Sequence, residues 1–211
     1  LILCNDSVYG PIGDLGATLK TLRDSGSDFQ GMTESFDYAH HLQSFFLVFS
    51  KKVFSSTAFS NFWASVEVLS NKQEIISRYE VGLTRQLEDA GFGFSSLTPY
   101  KDLGSLRRVR KAWRQYLKTL RQRCLELKFW QDVFKVMSGR MEIGTNPSHS
   151  EWRVLLEEYR VPFIKVGLLR DNPRRLSGLA SVYGVIHAVD PGYPTELISA
   201  HLARKAVVLD D

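Results

Sequence analysis

"HLQSFFLVFS", residues His41–Ser50, is the stretch on which the fold turns. Phe45, Phe46, Leu47, Val48 and Phe49 make an aromatic and β-branched run too short for a buried helix of ordinary length, so it reads as a strand. Upstream, "DFQGMTES" (Asp28–Ser35) reads as a second, shorter strand. Leu1–Cys4 reads as the end of a buried strand, followed by the turn Val8–Pro11. Between them, Pro11 opens a helix to about Asp24, with Leu15, Leu19 and Leu22 on one face and Gly26 near its stop. Downstream, Thr57–Leu69 reads as a helix with Phe59, Phe62, Trp63 and Val66 inward, and Lys72–Ala90 as a mostly helical run ending at Gly91. Strands alternating with helices place the chain in the α/β class.

From Leu106 the pattern changes. Apolar residues recur every three or four positions from Leu106 to Met137, the mark of one long amphipathic helix. Residues 105–140 carry eleven Lys or Arg against Glu126 and Asp132, whereas the whole chain nets only +4. The remainder is therefore acidic. Such a helix either lies on an anionic membrane surface or packs on the neighbouring domain with its cations solvated. Nucleic-acid binding finds no accompanying motif. After Ser138–Gly139, Asn146–Pro147 starts a new turn, "HSEWRVLLEEY" a helix, "PFIKVGLL" a strand, and "PTELISAHLARKA" a last clear helix. The expected organisation is thus residues 1–104, a basic insertion at 105–140, and residues 141–211.

The composition, 44% hydrophobic and 24% charged over 211 residues, is that of an ordinary soluble chain. No apolar run approaches the roughly 20 residues that span a bilayer. Two cysteines, Cys4 and Cys124, make neither a disulfide framework nor a zinc ribbon and fit a reducing compartment, with the cytosol as default.

Three places carry candidate chemistry. "CNDS" puts Asn5, Asp6 and Ser7 at the carboxyl end of a strand, where open α/β sheets bind ligands and where a carboxylate meets a divalent cation; the same residues also suit a plain strand-ending turn. "SRYEVGLTRQLEDAGF" puts Glu80 at what reads as a helix start, where the dipole holds a carboxylate ionised for general-base work, or where it serves as a first-turn acid only. "NPSHSEW" puts His149 at another helix start, as a ligand or as a structural histidine. Lys165, Arg170, Arg174 and Arg175 then offer cations to a diphosphate, or form a solvated charged turn.

In this order the pieces resemble a GT-A glycosyltransferase, with "E-x-x-L-x-x-x-L-x-x-x-G" running from Glu80 through Leu83 and Leu87 to Gly91. More narrowly, "NDSVYGP", "HLQSFFLVF", "RYEVGLTRQL", "NPSHSEW" and "VPFIKVGLLRDNP" resemble the rhamnan synthesis protein F family of bacterial polysaccharide enzymes, over roughly Leu1–Pro173. The resemblance implies an incomplete GT-A-like (Rossmann-like) mixed sheet flanked by helices, with the basic helix inserted. It implies an inverting transfer of L-rhamnose from dTDP-rhamnose to a surface-polysaccharide or lipid-linked glycan acceptor, on the inner face of the cytoplasmic membrane. Glu80 is then the base; Asn5, Asp6, Ser7 and His149 meet the donor and a Mg2+ or Mn2+ ion, with Asp6 and His149 its ligands. His41, Gln43, Ser44, Lys165 and Arg170 serve acceptor or diphosphate. The sequence departs from the pattern at Cys4, where the metal motif has its first acid, and at Tyr79, where an acidic pair is common. The nucleotide-binding units that precede the aspartate motif in such domains are absent from these residues, which therefore read as the later part of a larger protein. The competing class is a non-catalytic GT-A-like scaffold or membrane-docking module.

Overall fold

The computed structural model describes residues 1–36, 38–99, 146–173, 175–176 and 178–207. The basic helix expected over 105–140 lies outside them, as does Arg174. What they form is a mixed α/β fold with a mixed sheet flanked by helices.

The centre of that sheet is β3 (Phe29–Ser35), buried along nearly its whole length. On one edge it pairs antiparallel with β4 (His41–Leu42) and β5 (Phe46–Phe49), and it pairs in parallel with β6 (Phe94–Thr98). The run "HLQSFFLVFS" is therefore two strands, not one: β4 and β5 meet β3 in registers that differ by two residues, with Gln43 N–H still on the Thr33 carbonyl at 3.0 Å and Ser44–Phe45 bulging before β5. Outside β5 lies β1 (Ile2–Cys4), an edge strand with Ile2 45% exposed rather than the buried strand its composition suggests. A second, two-stranded sheet joins β2 (Val8–Tyr9) to β7 (Ile164–Lys165).

Alternation along β3 and β5 sends side chains to two faces. Phe29, Leu47 and Phe49 pack against α2 (Lys51–Phe54), α3 (Thr57–Ala64) and α5 (Gly82–Asp89) through Val53, Phe59, Phe62, Leu83 and Leu87. Met32, Phe46 and Val48 pack on the other side against Leu22 of α1 (Leu15–Asp24) and Leu155 of α7 (Trp152–Glu157). A third core gathers Ile12 and Trp152 with Ile164, Leu168, Ile186 and Ile198, which come from β7, α8 (Val166–Asp171), α9 (Val182–Val189) and α10 (Thr195–Val207). The two described stretches on either side of residues 100–145 thus share cores.

Several local readings shift. α1 starts at Leu15, capped by the Asp14 side chain on the Ala17 N–H, so Pro11 belongs to the approach. α3 stops at Ala64 and leaves Trp63 and Val66 44% and 41% exposed. "PFIKVGLL" is a strand only at Ile164–Lys165 before it turns into α8, because a short apolar run does not distinguish strand from helix. The helical run from Lys72 is continuous but changes pitch: α4 (Lys72–Ile75), a π-helical segment at Ile76–Val81, then α5. Glu80 therefore sits inside a helix, not at its start, and the dipole argument for it fails.

Candidate functional site

The bulge between β4 and β5 faces the π-helical segment. Its main chain, released from the regular ladder, turns the Ser44 N–H onto Glu80 Oε1 at 3.0 Å. The His41 Nε2 lies 3.8 Å from the same oxygen. His41 Nδ1 donates to the Ala39 carbonyl at 2.7 Å, which fixes the tautomer and leaves the Nε2 lone pair toward Glu80 in the neutral ring. Glu80 is 18% exposed, and among the described residues nothing donates to its Oε2. Segments with π pitch are frequent at functional sites, and here the wide turn carries the acid that meets the bulge.

Behind the bulge a polar chain fastens α6 (Pro147–Ser150) to the sheet. The Thr33 hydroxyl donates to Gln43 Oε1 (2.6 Å), the Gln43 Nε2 donates to Asn146 Oδ1 (3.1 Å), and the Ser148 hydroxyl donates to the same oxygen (2.5 Å). Thr33 and Gln43 are 0% and 2% exposed, so these bonds are the compensation that buried amides and hydroxyls require. Gln43, expected at the acceptor, is buried and bonds Thr33 and Asn146. Asn146, which the sequence marks only as the start of a turn, makes no side-chain cap bond and joins this chain.

The third element is the loop Asn5–Ser7 after β1. Asn5 N–H donates to the Phe45 carbonyl (3.2 Å) and the Val166 N–H donates to the Ser7 carbonyl (2.9 Å), which seats the loop between the bulge and β7. Asn5 Oδ1 accepts from the Ser7 N–H at 3.1 Å and from its hydroxyl at 2.6 Å, an Asx turn. With the Ser7 proton so directed, its oxygen accepts from Lys165 Nζ at 3.3 Å. The same Nζ stands 4.3 Å over the Phe45 ring, a cation–π contact. Burial drives the Lys165 pKa down to about 8; the Glu80 carboxylate works against that shift and the Lys72 charge adds to it. Lys165, Glu80 and Lys72 therefore share one electrostatic field. Lys72 and Phe45 were not singled out by sequence reading.

The remaining candidates are placed less centrally. Arg170 lends Nε and Nη2 to Asp171, both at 2.7 Å, so its fork is committed; the pair lowers the Asp171 carboxyl, with smaller contributions from Lys72 and His149. His149, half-buried in α6, thus acts on Asp171. Asp6 is exposed and has no hydrogen bond or ion pair among the described residues. Among the described residues no group of three or more His, Cys, Asp or Glu is placed to hold a metal ion. The donor set among the described residues does not by itself make a cation cage.

The chain can be set beside proteins already known. It is 35% identical over 107 residues to an uncharacterized protein, y4gN, of Sinorhizobium fredii, covering 49% of this chain and 28% of the relative. It is 28% identical over 191 residues to virulence protein VirA of Vibrio anguillarum, covering 90% of this chain and 57% of that one. The chain thus spans less than two thirds of the length of these curated relatives. No solved structure matches it. No described helix is long and apolar enough to cross a membrane. The sequence profile of rhamnan synthesis protein F matches residues 1–111, more than half of the chain and the stretch that builds the sheet, the Asn5–Ser7 loop and the Glu80 segment, and the chain belongs to that family.

Proposed function

We propose that this chain carries the acceptor-activating half of a GT-A-type glycosyltransferase that builds a rhamnose-containing surface polysaccharide, with dTDP-L-rhamnose as donor and a lipid-linked or polysaccharide glycan as acceptor. The observation that carries the reading is Glu80: one oxygen is held by the Ser44 amide, and among the described residues nothing donates to the other. In the reaction the acceptor hydroxyl gives its proton to Glu80 Oε2 while its oxygen attacks the anomeric carbon. The new C–O bond forms as the bond between that carbon and the diphosphate oxygen breaks, the electron pair leaves with dTDP, and the configuration inverts. The Ser44 N–H holds the carboxylate in place through the proton transfer, and positive charge near the Asn5–Ser7 loop meets the departing diphosphate.

Glu80→Gln in the full-length protein tests this. Transfer to acceptor falls by about 10²- to 10⁴-fold, the usual worth of a positioned base, while dTDP-rhamnose binding measured by calorimetry is retained. Unchanged turnover removes Glu80 from the role.

A further inference from the structure

Four cations gather in sequence between Lys165 and Arg175, yet the structure treats two of them very differently. Arg170 lies at the surface with its fork filled by Asp171. Lys165 is half-buried, and among the described residues no carboxylate lies within ion-pair distance of it. Among the described residues it donates a hydrogen bond to a neutral hydroxyl, Ser7 Oγ, and stands over the face of Phe45. A charge sequestered in this way is costly unless something anionic compensates it.

The place matters as much as the lack of a partner. The ammonium stands against the Asn5–Ser7 loop, through Ser7, where a GT-A reading expects a metal ion to bridge protein and diphosphate. The ligands for such an ion do not assemble among the described residues: Cys4 occupies the position of the first acid, and Asp6 points to solvent unsupported. A fixed point charge is there instead. Its position is set by backbone pairing, since Val8 faces Lys165 in the β2–β7 register and the Val166 N–H closes on the Ser7 carbonyl.

Resting on the transferase reading above, we propose that Lys165 is the counter-charge for the diphosphate of the nucleotide-sugar donor, so that this site takes a diphosphate without a divalent metal. Lys165 offers two remaining N–H donors to the anion, Ser7 and Asn5 orient the ammonium, and Phe45 supports it from beneath. The proposal differs from a metal-bridged site in a way that binding alone can read.

The test is calorimetric titration of inorganic pyrophosphate and of dTDP into the full-length protein, in EDTA and in Mg2+ or Mn2+, with Lys165→Met and Lys165→Arg beside the wild type. Expected are wild-type affinities that agree within about threefold with and without metal, a loss of about tenfold or more in Lys165→Met, the scale of one charge-assisted hydrogen bond, and retention within a few fold in Lys165→Arg. A cooperative melt for Lys165→Met at or above the wild-type Tm shows that the loss is not misfolding. Binding that appears only with metal, or an unchanged affinity in Lys165→Met, overturns the proposal and leaves the transferase reading standing. Failure of dTDP to bind in either buffer overturns both.

Discussion

At the scale of single residues, Lys165 makes a prediction about stability that is separate from ligand binding. Its pKa is about 8 in the folded chain against an ordinary 10.5. Between those values the folded state holds fewer protons than the unfolded one, so stability rises as pH climbs from about 8 to 10.5, and the cost of burying the charge is fully present below 8. Lys165→Met removes that cost: at pH 7 the variant is more stable by on the order of 2 kcal/mol, and the gap closes near pH 10.5, as chemical denaturation across pH would show. Ser44 gives a different kind of test, because it holds Glu80 through its main chain. Ser44→Ala leaves transfer near the wild-type rate, whereas Ser44→Pro, which has no N–H, lowers it about tenfold or more at unchanged donor affinity. These two residues show what the sequence conveyed. Glu80 was legible from its spacing to Leu83, Leu87 and Gly91, but its support was not, since a main-chain donor in a bulge leaves no trace in side-chain identity. Lys165 and Arg170 looked alike for the opposite reason: what separates them is the company each keeps in space.

At the scale of elements, the sheet's centre and its helical covers were readable from apolar pattern, and the failures have physical causes. β6 was overlooked because three of the five residues of "FSSLT" are serine or threonine; it is a strand because those hydroxyls are satisfied, Ser96 on Glu34 at 2.6 Å and Thr98 on the Met32 carbonyl at 2.8 Å. The break between β4 and β5 falls where polar Gln43 and Ser44 precede the apolar run Phe45–Phe49, a signal passed over in favour of one strand, and the π-helical segment was hidden by the continuous helical pattern around it. Beside the Ser44–Glu80 bond, the Leu42 N–H of β4 donates to the Thr84 hydroxyl of α5 at 3.2 Å, with both residues buried. Thr84→Val keeps the shape and strands that N–H, so urea denaturation reads a loss of about 1–3 kcal/mol. The same change loosens the bulge against Glu80.

At the scale of the whole molecule, the α/β class and the mixed sheet were legible, while the convergence of the site was only outlined by the order of its blocks. Its parts come from Asn5–Ser7, His41–Phe45, Glu80, Asn146–Ser148 and Lys165, joined by contacts that cross up to 158 positions of sequence. Chain ordering at such separations is the slow, late part of folding. Nothing local can keep this constellation intact once the cores shared by the two described stretches separate. In rising urea the loss of diphosphate affinity should therefore coincide with the loss of far-ultraviolet circular dichroism, in one transition with one midpoint. A pocket carried on a single loop would melt ahead of its scaffold and leave an inactive but folded chain. This one has no such intermediate to offer: a ligand that fits it is also a gauge of whether the chain is assembled, and it raises the stability of the entire fold by mass action rather than stiffening one corner of it.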